Sequence, residues 1–99
     1  MGFKLKWLRA VNKIVDWTQA IKFDLKDAEA YYKRGLANER LGDYDKALAD
    51  YTRAIKLDPS LSAAYAGRGC AYRTLGDRGK ALADYTWAIK LDKLRERLQ

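Results

Sequence analysis

Apolar residues along this chain recur at helical intervals. Phe3, Trp7, Val11, Ile14, Thr18 and Ile21 fall three or four residues apart, a spacing that puts them on one face of an α-helix. Trp87, Leu91, Leu94 and Leu98 form a second stripe at spacings of four, three and four. The pattern between them repeats. "DYTRAIKLD" at 50–58 returns as "DYTWAIKLD" at 84–92 and, more loosely, as "DWTQAIKFD" at 16–24, so the starts at Asp16, Asp50 and Asp84 lie 34 residues apart both times. A fixed period of this length marks stacked units, each burying its apolar face only against its neighbours.

Residues 28–61 and 62–95 each hold two helix-length stretches separated by "LGD". Gly42 and Gly76 end the first stretch, because glycine enters the left-handed C-cap conformation cheaply. Asp43 and Asp77 follow and can cap the next helix. Pro59 stops the second helix of the first unit. Lys93 stands where the second unit would have its proline, so the last helix runs on. The N-terminal copy has no upstream "LGD", and Lys13 holds the position of Ala47 and Ala81, so it reads as one long helix and not as a full unit. The pattern predicts an all-α solenoid of antiparallel hairpins with five helices over 3–24, 28–41, 44–57, 62–75 and 78–97. It divides into a basic amphipathic helix (1–27), a first unit (28–61) and a second unit with an extended last helix (62–99).

Small residues recur where helices must touch: Gly35 and Gly69, Ala47 and Ala81, Ala54 and Ala88. Large ones recur between them: Tyr31 and Tyr65, Leu41 and Leu75, Leu48 and Leu82, Tyr51 and Tyr85, Ile55 and Ile89, Leu57 and Leu91. The small positions let backbones approach and the large ones fill the gaps. In "DYTRAIKLD" the alanine then admits the neighbour, the aromatic and isoleucine fill the seam, and the charges face water.

These positions resemble the tetratricopeptide repeat family. The likeness rests on Tyr31, Gly35, Gly42, Ala47, Tyr51, Ala54 and Pro59, then on Tyr65, Gly69, Tyr72, Gly76, Ala81, Tyr85 and Ala88. It covers 28–92 strongly and 14–25 in part. Departures are Asn38 where the second unit has Tyr72, and Arg78-Gly79 in place of Tyr44-Asp45. The resemblance implies a scaffold whose first helices line a groove for a peptide or partner helix. By position that groove would present Glu29, Tyr32, Lys33, Leu36, Glu39 and Arg40 from the first unit. The second would add Ala63, Ala66, Cys70, Arg73 and Thr74. The family's chaperone-tail clamp is not expected: its matching positions hold Tyr32, Leu36 and Gly67, and a third complete repeat is absent.

Composition narrows the chemistry. The chain has 99 residues, 48% apolar and 33% charged, as for one small folded domain. It has no histidine and one cysteine, which removes the commonest general base and metal ligand and any internal disulfide. No glycine loop cradles a phosphate, and Cys70 reads as a small groove or core residue. Nothing suggests catalysis, a cofactor or a metal, and no nucleic-acid motif accompanies the basic residues. A reducing, cytoplasmic location is the default. The net charge of +7 sits at the ends, with +4 in residues 1–26 and +2 in 93–99. The two stripes, with no evident polar cap over them, predict self-association through Phe3, Trp7, Val11, Trp87, Leu91, Leu94 and Leu98. The expected form is a symmetric dimer or an exchange of the N-terminal helix. An alternative is that "FKLKWLRAVNK" lies on an anionic membrane surface or serves as a target helix.

Overall fold

The computed structural model describes residues 2–98, with side chains from residue 5 onward. Five helices follow in order: α1 Gly2–Phe23, α2 Ala28–Arg40, α3 Tyr44–Leu57, α4 Ser62–Thr74 and α5 Arg78–Leu98. The predicted boundaries hold to within one residue at each end. Gly42 and Gly76 take φ of +82° and +91°, the left-handed values for which the turns were assigned glycine. Asp43 and Asp77 accept from the amides of Lys46 and Lys80 at 3.2 and 3.1 Å, and Asp27 caps α2 in the same way through Ala30. Arg78 and Gly79 therefore start α5 under a working cap. Among the described residues no helix is long and apolar enough to cross a membrane.

α2 packs on α3 and α4 on α5 as antiparallel hairpins, and α3 then packs on α4 to join the two. α1 packs on α2 and stands to it as α3 stands to α4. One residue proves the register. Arg34 reaches back to Thr18 on α1 at 3.4 Å, and Arg68 reaches back to Thr52 on α3 at the same distance. The looser N-terminal copy is thus the second helix of a unit, and α1 stays helical through residues 7–9, where the turn from a first helix falls in the complete units.

The seam is built around one ring. Tyr51 is fully buried. A Cβ on Gly35 would come within 2.7 Å of it, and a Cβ on Gly67 within 2.8 Å. The ring lies between two helices that can approach it only because neither carries a side chain there. Gly69 performs the same service for Tyr85 and lies against the carbonyl of Ala81. Ala47, Ala54, Ala64 and Ala71 are sealed, and Trp17, Ile21, Tyr31 and Ile55 fill the joint between α1, α2, α3 and α4.

Two expectations need correction. The aspartates that open the repeated word do not face water: Asp50 and Asp84 are only 5% and 4% exposed. Arg34 donates to Asp50 through Nε at 2.9 Å and Nη2 at 2.7 Å, and Arg68 does so to Asp84 at 2.9 and 2.8 Å. The strength of this forked pairing raises both guanidinium pKa values. The Asn38 departure also finds its reason, since its amide gives Asp50 a third bond at 3.0 Å. Tyr72 in the second unit instead lies beside the Arg68 guanidinium, as does Tyr65. Second, Leu75, Leu82 and Ile89 are half or more exposed and fill no gap, because no further helix among the described residues packs over them.

Candidate functional site

The first helices α2 and α4 are neighbours, and their shared face carries the positions assigned to a groove. Tyr32 is half-buried, its ring centroid 6.0 Å from that of Tyr51, with the Lys33 ammonium 5.9 Å above it. Burial, then the charges of Glu29 and Glu39, raise the Tyr32 phenol pKa. Glu39 accepts from the Tyr51 hydroxyl at 3.0 Å. Burial first, and Glu39 second, push the Tyr51 phenol far above its ordinary range. On α4, Ala63, Ala66 and Cys70 are partly open. Arg73 leans on the Cys70 sulfur at 3.9 Å, and the Thr74 hydroxyl bonds back to the Cys70 carbonyl. Glu29, Arg40, Arg73 and Thr74 are exposed.

Lys33, Leu36 and Arg40 also turn toward α1. With Lys13, Trp17 and Ala37 they line a cavity of about 210 Å³. The family resemblance assigns Lys33, Leu36 and Arg40 to the α2–α4 face and gives Lys13 and Trp17 no part in it.

The terminal stripes are placed unevenly. Trp7 is 52% exposed and Val11 partly covered; the Phe3 side chain lies outside the described ones. Trp87 is 51% exposed and not unsupported, because it stacks on Tyr65 of its own unit with centroids 6.4 Å apart. Leu91 is partly buried, whereas Leu94 and Leu98 are open. A second open apolar face of α5, which the stripe missed, is formed by Leu82 and Ile89 with Thr86 between them. These correspond to Leu48, Ile55 and Thr52, which meet the following unit. The 34-residue period was the signal that could have found them.

No group of His, Cys, Asp and Glu able to hold a metal is present among the described residues. What the surface offers is shape, apolar side chains and charge.

Comparison with known proteins decides the family. The Tetratricopeptide repeat family matches residues 28–61 and again residues 62–93. The chain is a tetratricopeptide repeat protein. Among solved structures, MamA is 31% identical with a TM-score of 0.81, over 85% of this chain and 49% of its own. The present chain thus spans about half of that one. The second repeat domain of Spaghetti (RPAP3), solved with the HSP90 peptide SRMEEVD, is 35% identical with a TM-score of 0.77, over 79% of this chain and 72% of its own. The first such domain, with the same peptide, is 26% identical with a TM-score of 0.84, over 90% and 71%. No match was found among curated proteins. Repeats of this family are in general non-catalytic and serve protein interaction.

Proposed function

We propose that the α2–α4 face binds a peptide or a short helix of a partner protein. The observation that carries this is the adjacency of the two first helices, on which Tyr32, Leu36, Ala66 and Cys70 are each partly open. Small residues on α4 leave room, the aromatic and leucine on α2 supply apolar area, and Lys33, Arg40, Arg73, Glu29 and Glu39 rim it. Such a mixture suits an amphipathic segment. Relatives solved with a bound peptide support the reading. The clamp positions here hold Tyr32, Leu36 and Gly67, so recognition does not depend on a terminal carboxylate.

The test is a pull-down with the wild-type chain and with Leu36→Glu and Arg73→Glu, both on the face and outside the sealed core. The captured partner should be lost from both variants while their helical circular dichroism is kept. Capture that survives in both removes the proposal.

A second reading, self-association, is favoured by the open Leu82, Trp87 and Ile89 of α5. Burying two such side chains is worth roughly 3–6 kcal/mol before ordering costs. Light scattering at tens of micromolar should give about twice the 11.3 kDa of one chain, and a mass of one chain would sink it.

A further inference from the structure

Every residue lining the cavity between α1 and α2 has a counterpart 34 positions on. Lys13, Trp17, Lys33, Leu36, Ala37 and Arg40 correspond to Ala47, Tyr51, Gly67, Cys70, Ala71 and Thr74. Around those counterparts lies α2 itself: Tyr51 is wedged against Gly35, Ala47 and Ala71 are sealed, and Tyr32 and Leu36 pack over them. The cavity is therefore the berth that a first helix fills in the complete units, and α1, helical through residues 7–9, holds no hairpin turn that would bring one in. Its chemistry has changed. Three neutral positions, two of them among the smallest side chains available, have become Lys13, Lys33 and Arg40. A helix could not settle here at the spacing α2 keeps, because Lys13 and Lys33 stand where Ala47 and Gly67 admit close approach.

We infer that this joint binds an acidic peptide segment of a partner protein, with an apolar side chain seated against Trp17, Leu36 and Ala37 and carboxylates on Lys13, Lys33 and Arg40. None of the three cations makes an ion pair among the described residues. Arg40 also lines an adjoining cavity with Lys6, Arg9 and Ala10. No carboxylate lines either cavity. From Lys6 to Lys13 the basic channel runs about 10 Å along α1, the length of roughly three extended residues. A second copy of this chain is the poorer occupant, because its own free end is basic: Lys90, Lys93 and Arg97 surround Leu94. The site shares Lys33, Leu36 and Arg40 with the α2–α4 face and so deepens that reading at its N-terminal end. The two fail separately, since only this site uses Lys13 and Trp17 and only the other uses α4.

The probe is a capped Glu-Glu-Leu-Glu-Glu peptide, followed by the emission of a Trp7→Phe, Trp87→Phe chain in which Trp17 is the sole tryptophan. The expected result is a saturable change in emission that weakens with salt. It should fall at least tenfold in affinity in Lys13→Glu, Lys33→Glu, and be lost when the peptide's Glu residues are replaced by Lys. Lys13→Ala, which restores the residue of the complete units, should weaken it less. Arg73→Glu on α4 should leave it unchanged. Absence of any saturable change overturns the proposal, as does an affinity that ignores charge reversal at Lys13 and Lys33. A chain dimer that Lys13→Glu dissolves and the peptide does not displace also overturns it, by putting a second copy in the berth.

Discussion

The same aspartate is written three times, and only its surroundings decide what it does. Asp50 and Asp84 are buried against Arg34 and Arg68, whereas Asp16 is exposed. Removing one partner of a buried pair strands the other away from water, which costs several kcal/mol when burial is complete. Arg34 keeps about a quarter of its side chain in solvent, so Asp50→Ala should cost less, about 2–3 kcal/mol in urea denaturation. Asp16→Ala should stay within about 0.5 kcal/mol. Equal costs would show that the pair contributes nothing beyond its place in the word. Gly35→Ala and Gly67→Ala each drive a Cβ into the Tyr51 ring, and each should destabilise by about 1–3 kcal/mol. Tyr51 also sets a pH dependence. Its phenol pKa is raised in the fold, so the folded state holds the proton more tightly than the unfolded one. That contribution is whole below the unfolded value of about 10 and is lost as pH rises above it. Stability should therefore fall above pH ~10 and fall less steeply in Tyr51→Phe.

Each helix is specified mainly by its own ends. Gly42 and Gly76 with the aspartates that follow them fix where α2 and α4 stop and α3 and α5 begin. Gly42→Ala should cost about 1 kcal/mol through the left-handed turn alone, with no new clash, since no atom lies within 4 Å of the added Cβ. Melting temperature against that of Gly35→Ala would separate backbone strain from overpacking. α1 reads in the sequence as a half-repeat, because "DWTQAIKFD" aligns with the second helices of the two units. Its 22 residues run about 33 Å against about 20 Å for the 13-residue α2, which leaves Leu5, Trp7 and Leu8 open beyond the joint. The register of Thr18 with Thr52 makes α1 a second helix that runs on through the turn position, and the basic berth at its side follows from that.

As a stack, the molecule has two different ends. Every joint between units sets a first helix, α2 or α4, against the second helix before it. Head-to-tail stacking of two copies would press α1 on α5, second helix on second helix, a contact with no counterpart in this fold. If the chain pairs, it should do so through two α5 faces related by a two-fold axis. Leu82→Glu with Ile89→Glu should then return a paired chain to one-chain mass by light scattering while changing the urea midpoint of a dilute sample little, since both side chains are already open. A pair that survives this change is held elsewhere.

The helix count, the boundaries, the hairpin turns and the family were legible because they rest on local rules: a period of 34 residues, helical spacing of apolar residues, and cap residues whose effect reaches only a turn away. The α2–α4 groove positions were assigned by the family resemblance and belong to the proposal. The pairing of Arg34 with Asp50 was not legible, although both recur at the period, because a charge reads as solvent-facing until a packed neighbour supplies its partner sixteen residues away. Nor could the sequence tell that Leu48 is covered and Leu82 open, since the two sit in near-identical words and burial belongs to the neighbouring helix. Tertiary packing alone decided which copies of one repeated pattern became core and which became surface, because a unit that cannot bury its own face takes its character from what stands beside it.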